Sequence, residues 1–210
     1  MTIIEKEVSY TINNTYSTLN QLTENTKTVW LVFHGLGFLS RYFINHFKGL
    51  NTKENYIIAP QAQAKHYLNG KYTHSGACWL TKENTAFEIE NVMTYIDRVF
   101  EAENIPENID FRILGFSQGV SIATRWVASR NIKCTSLYLY AGKIPREFTV
   151  NDFKHINTIK MIAGDKDEYI TPQVMADEKA YCNQLFGDKI EYILFDGKHV
   201  INTQIIASLA

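Results

Sequence analysis

Apolar and polar positions along the chain follow two patterns, one typical of buried strands and the other of helices. Thr28–Phe33 is an unbroken run of β-branched and aromatic residues, which is expected of a strand covered on both faces. Ala86–Glu103 instead carries apolar residues at steps of four, three and four from Ile89 to Phe100, which predicts an amphipathic helix. Segments of the two kinds alternate over most of the length, so the pattern predicts repeated strand–helix units.

The same reasoning predicts the remaining elements. Further strands are expected at Glu5–Asn13, Thr15–Leu22, Tyr56–Ala59, Phe111–Leu114, Leu137–Ala141, Ile159–Ala163 and Glu191–Phe195, and further helices at Ser40–Phe47, Gln118–Arg130, Pro172 to about Leu185 and Ile201–Leu209. Strands separated by helices of this length favour an α/β fold with a mostly parallel sheet and helices on both faces. The chain has no repeat, low-complexity tract or linker, so we expect one domain over residues 1–210.

Two of the predicted helices have recognisable start signals. Thr85 with Glu88 matches a capping box, in which each side chain caps a backbone N–H at the other end of the first turn. Thr171 followed by Pro172 is typical of a capping residue and a first-turn proline.

Composition excludes several classes of protein. The 210 residues include 21 basic and 22 acidic side chains, and a formal net charge of −1 argues against a general nucleic-acid-binding protein. The three cysteines, Cys78, Cys134 and Cys182, form neither a disulfide framework nor a close metal-binding pair. The charged start Met1–Glu7 lacks the apolar centre of a signal peptide, and no apolar window approaches ~18 residues. We therefore expect a cytoplasmic protein without a membrane span.

The strongest chemical signal is the sequence Gly115-Phe116-Ser117-Gln118-Gly119, a G-x-S-x-G motif. It lies between a predicted strand and a predicted helix, which is the setting that a nucleophilic serine at a sharp turn requires. Glycines two positions either side of Ser117 allow a strained turn that lifts the hydroxyl above the sheet edge. The turn also places Ser117 at a helix N-terminus, whose N–H groups favour a developing negative charge.

A nucleophilic serine needs a base, and the base needs an orienting acid. Two histidines follow Ser117 in the chain. His199 follows the last predicted strand and is the predicted base, whereas His155 precedes a strand and would lie at the opposite edge of the sheet. The acid is expected in the loop after the strand Ile159–Ala163, which offers Asp165, Asp167 and Glu168. Spacing alone does not choose among these carboxylates, and Asp165 is also a candidate for capping the loop.

A second glycine-bearing loop follows the buried strand Thr28–Phe33. In His34-Gly35-Leu36-Gly37 the glycines would let a backbone N–H approach a substrate oxygen. We expect an oxyanion hole that combines the amide of Leu36 with the amide of Gln118. The imidazole of His34 is interpreted as a hydrogen-bonded structural group rather than a catalytic one.

The segment 61–84 is long for a connection inside one domain, and such segments are often functional. Two interpretations compete: a lid that contacts the substrate, or aromatic residues that cover the edge of the sheet. Phe38, beside the oxyanion loop, and Trp79 are the candidate substrate-lining residues; the alternative is packing in the core for Phe38 and covering of the sheet edge for Trp79. His66, His74 and Cys78 have spacings that match no common metal site, so no metal is expected.

The motifs together resemble one family. They are His34-Gly35-Leu36-Gly37, Gly115-Phe116-Ser117-Gln118-Gly119, Gly164-x-x-Asp167-x-x-Ile170 and Gly197-x-His199, and they look like those of the phospholipase/carboxylesterase family, the α/β-hydrolase branch that includes acyl-protein thioesterases. The similarity spans about residues 29–200. It implies that Asp167 is the triad acid and that the residue after His-Gly, here Leu36, supplies an oxyanion amide. The chain departs from the family pattern at Phe38, Val120 and Pro172, which leaves the triad intact but bears on the choice of substrate.

The sequence therefore predicts a cofactor-independent serine hydrolase with Ser117 as nucleophile, His199 as base and Asp167 as orienting acid. Its substrate would be a small acyl ester or thioester, with no nucleic-acid partner; the oligomeric state is left open. A peptidase or carbon–carbon hydrolase could use the same triad. A non-catalytic binding module of the same fold is the alternative outside enzymes.

Overall fold

A seven-stranded sheet runs through the centre of the molecule, and a separate two-stranded hairpin accompanies it. The computed structural model describes residues 1–210. Its strands are β1 (Tyr16–Leu19), β2 (Thr28–Phe33), β3 (Asn55–Pro60), β4 (Ala64–Tyr67), β5 (Ser75–Cys78), β6 (Asp110–Phe116), β7 (Ser136–Tyr140), β8 (Thr158–Gly164) and β9 (Ile190–Phe195). The order in the large sheet is β1-β3-β2-β6-β7-β8-β9, and β4 pairs with β5.

Every neighbouring pair in the large sheet is parallel except β1 with β3, which is antiparallel. The helices are α1 (Ser40–Phe43), α2 (Thr85–Glu103), α3 (Gln118–Arg130), α4 (Pro172–Phe186) and α5 (Thr203–Ser208). A 3-10 turn over Ile44–Phe47 extends α1, so the predicted helix 40–47 consists of two short pieces. This arrangement confirms the predicted α/β fold with a mostly parallel sheet.

The two faces of the sheet bury separate apolar clusters. In β2 the side chains of Val29, Leu31 and Phe33 join one cluster, and those of Trp30 and Val32 join the other, because successive residues of a strand point to opposite faces. The first cluster packs under α2, α3 and α4, and the second packs under α1 and α5. Helices therefore cover both faces, which explains why β2 is apolar without alternation.

Two local predictions are wrong. Residues 5–13 form no strand: β1 begins at Tyr16, and an alternating pattern without a neighbouring strand gives no ladder of hydrogen bonds. Asn84, in a left-handed conformation, precedes α2 without a side-chain capping bond, and Thr85 is the first helical residue. The Thr85 hydroxyl donates to the carbonyl of Thr81 at 2.8 Å instead of forming the expected capping box with Glu88.

The cap of α4 follows the sequence signal. Thr171 accepts a hydrogen bond from the amide of Val174, and Pro172 is the first helical residue.

Inside the long segment 61–84 the structure has the hairpin β4–β5, which was not predicted. None of the helices is long and apolar enough to cross a membrane.

Candidate active site

The turn between β6 and α3 holds Ser117 in a strained backbone conformation. Its φ of 53° and ψ of −117° are unusual for a residue with a side chain. The Ser117 amide donates to the carbonyl of Tyr140 on β7 at 2.8 Å, which anchors the turn from the neighbouring strand. A Cβ atom on Gly115 would overlap the carbonyl of Gly119, and one on Gly119 would overlap the carbonyl of Phe33. The two motif glycines are therefore required by close backbone contact.

His199 lies in the loop after β9, above the carboxyl end of the sheet. Its Nε2 is 2.9 Å from the Ser117 hydroxyl, and its Nδ1 is 2.8 Å from Oδ2 of Asp167. Ser117 and His199 are half-buried, while the Asp167 side chain is fully buried. The structure thus joins the three predicted residues in one continuous chain of hydrogen bonds, although 82 residues separate the serine from the histidine.

The two aspartates of the loop after β8 make different contacts. Oδ1 of Asp167 accepts from the amides of Tyr169 at 2.8 Å and Ile170 at 3.0 Å, leaving Oδ2 for His199. Oδ1 of Asp165 accepts from the amide of Gly197 at 3.1 Å, in the loop that carries the histidine. The geometry therefore places Asp167 against the imidazole, whereas Asp165 ties the two loops together.

Two aromatic rings hold the imidazole of His199. The ring of Phe116 lies 5.1 Å from it at a tilt of 36°, and the ring of Tyr169 lies 4.8 Å away nearly edge-on. Tyr169 is 64% exposed, so one side of the imidazole is shielded by a ring that itself faces solvent. These contacts restrict the imidazole to rotations that keep it between the serine and the aspartate.

The loop after β2 is fixed by a buried, neutral histidine. Nε2 of His34 accepts from the amide of Ala62 at 3.1 Å, so the ring proton is on Nδ1, which donates to the carbonyl of Gly35 at 2.8 Å. Burial lowers the pKa of His34 to about 4. The contacts of its imidazole are those of the structural group that the sequence predicts.

The amide of Leu36 makes no hydrogen bond within the protein. Gln118 is the first residue of α3, so the helix supplies no acceptor for its amide either. The structure thus leaves both predicted oxyanion donors unpaired, one on each of the two segments that flank the serine. The Leu36 side chain is 58% exposed beside this point.

The two candidate substrate-lining residues differ in position. Phe38 is half-buried and packs edge-on against Phe116 at 5.9 Å, which keeps it near the site. Trp79 is only 1% exposed, with its Nε1 donating to the carbonyl of His34 at 2.8 Å. The interpretation of Trp79 as a lining residue is therefore wrong, because its ring packs beneath the oxyanion loop and has no free surface.

Other residues that the sequence raised lie apart from this constellation. His155 precedes β8, and both its ring nitrogens are buried without a hydrogen-bond partner. His66 and His74 lie exposed on the hairpin β4–β5. No group of three or more His, Cys, Asp or Glu side chains is placed to hold a metal ion.

Tyr140 has a role at this site that sequence reasoning missed. Its carbonyl accepts from Ser117, and its hydroxyl accepts from the amide of Asn202 at 2.9 Å, three residues beyond His199. Burial raises the pKa of Tyr140 to about 12, so the hydroxyl stays protonated. One buried residue on β7 thus connects the serine turn, through its carbonyl, with the histidine loop, through its hydroxyl, and nothing in the local sequence marks it.

Solved structures identify the fold. The chain matches maize (Zea mays) acyl-protein thioesterase 2 with a TM-score of 0.71 at 11% identity, covering 94% of this chain and 96% of that one. It matches esterase PE8 with a TM-score of 0.70 at 15% identity, covering 94% and 98%. It matches the phospholipase/carboxylesterase of Dyadobacter fermentans DSM 18053 with a TM-score of 0.65 at 17% identity, covering 95% and 97%.

These likenesses show that the chain has the α/β-hydrolase fold over nearly its whole length. The matched structures include members of the family that the sequence motifs resemble. No protein-family model and no curated protein sequence matches the chain.

Proposed function

We propose that the protein is a serine hydrolase that cleaves carboxylic esters or thioesters through an acyl-enzyme. The observation that carries the proposal is the hydrogen-bonded chain from Ser117 through His199 to Asp167, with the unpaired backbone amides of Leu36 and Gln118 at its serine end. Its fold is that of proteins named as esterases and thioesterases, which supports ester hydrolysis as the reaction class.

The first half-reaction forms the acyl-enzyme. The Ser117 hydroxyl attacks the carbonyl carbon while Nε2 of His199 takes its proton, and the imidazolium returns that proton to the departing alcohol or thiol. Asp167 is buried and already accepts two backbone hydrogen bonds, so it stays in place and stabilises the imidazolium through Oδ2. The same imidazole then activates water, which releases the acid and restores the serine.

Negative charge on the tetrahedral oxygen is stabilised by the amides of Leu36 and Gln118. Both donors are backbone groups held by the loop after β2 and by the start of α3, so no reorganisation is needed when the charge develops. Donors of this kind are each worth about 3 kcal/mol of transition-state stabilisation. The reaction requires no metal or cofactor.

The surroundings of the serine favour an apolar acyl group. Leu36, which carries one proposed donor, is 58% exposed; Tyr169, 64% exposed, lies 4.8 Å from the ring of His199; and Val200, 52% exposed, directly follows His199. Exposed apolar side chains grouped around a polar centre are typical of a binding site for an apolar ligand. We therefore assign a small acyl ester or thioester as the substrate class.

Covalent labelling tests this proposal. A fluorophosphonate should add once to the folded wild-type protein at Ser117, as read by intact mass and peptide mapping, and Ser117→Ala should not react. Ser121→Ala is the matched control, since Ser121 is a half-buried serine on α3 whose hydroxyl bonds only to the carbonyl of Gln118; it should label as wild type does.

Unlabelled protein from the same preparation is then assayed on a panel of esters, thioesters and peptides. Turnover of short acyl esters or thioesters that is lost in Ser117→Ala is the expected result. Absence of labelling in folded wild-type protein would contradict catalysis and favour a binding module. Turnover of peptides alone would assign the triad to a peptidase.

A further inference from the structure

A four-residue segment touches both halves of the proposed oxyanion hole. Residues 77–80, at the end of β5 and just after it, are called the strap here. The carbonyl of Ala77 accepts from the amide of Gly37 at 2.8 Å, and Nε1 of Trp79 donates to the carbonyl of His34 at 2.8 Å. These two bonds fix the backbone on either side of Leu36, whose amide is one of the two donors.

The side chain of Gln118 is hydrogen-bonded to the other side of the strap. Its Oε1 accepts from the amide of Trp79 at 2.9 Å, and its Nε2 donates to the carbonyl of Leu80 at 2.7 Å. Nε2 also approaches the sulfur of Cys78 at 3.4 Å, and the Cys78 thiol donates to the carbonyl of Leu80 at 3.0 Å. Both polar atoms of the Gln118 side-chain amide are therefore hydrogen-bonded to the backbone of the strap.

We infer that the Gln118 side chain is a positioning residue that sets the distance between the two oxyanion amides by clamping the strap. The inference rests on the proposed hydrolase activity and adds to it a task for a side chain whose backbone is already a donor. Because the strap is bonded to the loop of Leu36 and to Gln118, a shift of either amide would have to break one of these bonds. The buried Trp79 supports the same inference, because its backbone N–H bonds to the Gln118 side chain and its indole N–H bonds to the loop of Leu36.

Two physical arguments make such a clamp consequential. Catalytic donors must be held to within about 0.5 Å of their productive position, and loss of one donor costs roughly 10²–10³ in rate. The start of α3 follows Ser117, whose backbone is strained at a φ of 53°, and strained backbone persists only where its surroundings hold it. The clamp supplies two hydrogen bonds to the residue directly after that strained position.

Gln118→Met tests the inference, because methionine keeps the length of the side chain and removes both strong hydrogen bonds. We expect kcat for a short ester to fall at least tenfold while KM changes less than threefold. The affinity for a trifluoromethyl ketone, which adds to serine to give an oxyanion, should fall by a factor similar to the loss in kcat/KM. A merely structural role would lower the fraction of active protein without changing this affinity.

Gln63→Met is the matched control. Gln63 is also a partly buried glutamine that bonds to another element, with its Nε2 donating to the carbonyl of Asn91 at 3.4 Å, but it contacts no oxyanion segment. It should leave kcat and inhibitor affinity within twofold of wild type. Gln118→Glu is the second variant: it is nearly isosteric and retains the acceptor for Trp79, but replaces the donor to Leu80 with an acceptor, so we expect the same loss of ketone affinity.

The outcomes separate the inference from the proposed function. Folded Gln118→Met and Gln118→Glu with wild-type kcat and ketone affinity would overturn the positioning role and leave the hydrolase intact. A wild-type protein without ester turnover or serine labelling would overturn the hydrolase itself. Loss of ketone affinity in the Gln118 variants but not in Gln63→Met would establish the clamp.

Discussion

At the scale of residues, two aspartates two positions apart in one loop make different contacts: one bonds to the imidazole of His199 and the other to the backbone of the histidine loop. Asp167 accepts three hydrogen bonds, from His199 and from the amides of Tyr169 and Ile170, and is buried. Asp165 is exposed and bonds to the loop of the histidine through Gly197. Side-chain spacing does not distinguish them, because the difference depends on how each meets a neighbouring loop that is 32 residues further along the chain.

Paired substitutions separate these two roles. Asp167→Asn should lower kcat/KM by roughly 10³–10⁴, because an amide N–H facing Nδ1 would favour the tautomer that cannot accept the serine proton. Asp165→Asn retains an oxygen for the amide of Gly197, so its kcat/KM should stay within about fivefold of wild type. Steady-state kinetics on one ester compares the two, and an equal loss in both variants would contradict the assignment of Asp167.

The predictability of the site differs from residue to residue. Ser117 and His199 could be located from sequence because a motif and a strand end mark them. Trp79 was misassigned, since an aromatic residue in a long loop has no local signal that separates a buried anchor from a ligand contact. Tyr140 was missed because its two bonds join distant segments, which a strand pattern does not reveal.

At the scale of elements, the strands and helices with a strong period were predicted and the weakly patterned ones were not. The apolar strands of the parallel sheet and the amphipathic helix α2 formed as expected, within a few residues at their ends. The strands of the hairpin β4–β5 consist mostly of small, polar and glycine residues, so they show no alternation of apolar and polar positions that would predict a strand. The segment 5–13 has the alternation but lacks a partner strand, which only the fold determines.

Packing of α3 on the sheet gives a prediction for this scale. Gly119→Ala places a methyl group against the carbonyl of Phe33, so α3 must move away from β2 and the free energy of unfolding should fall by about 3 kcal/mol or more. Gly49→Ala is the control: a Cβ there meets nothing within 4 Å, and the change should stay within about 0.5 kcal/mol. Urea unfolding measures both, and equal stability of the two variants would refute the close contact.

At the scale of the whole molecule, stability should depend on pH through the buried His34. Burial lowers its pKa to about 4 from the ordinary histidine value of about 6.5, so between these pH values the unfolded chain binds a proton that the folded protein does not. This contribution to stability is complete above pH 6.5 and is lost as the pH falls toward 4. The expected loss in the free energy of unfolding is about 3 kcal/mol.

The contribution of His34 to the pH dependence of stability is isolated by comparing how steeply the free energy of unfolding changes with pH in two proteins. Urea unfolding is measured from pH 7 to pH 4.5 for wild type and for His34→Gln, which has no titrating group at this position. The variant should lose less stability on acidification, even if it is less stable at pH 7. Parallel curves would mean that other groups carry the acid sensitivity.

β9, which precedes the loop of His199, is one of the two edge strands of the sheet. This strand is mostly half-exposed and has one neighbour, whereas β2 is fully buried between two. Edges of this kind open locally at lower free energy than the centre. All three tryptophans, Trp30, Trp79 and Trp126, lie in the buried core and none on β9 or α5. In rising denaturant the proposed ester hydrolysis should therefore be lost while the tryptophan fluorescence still reports a folded protein.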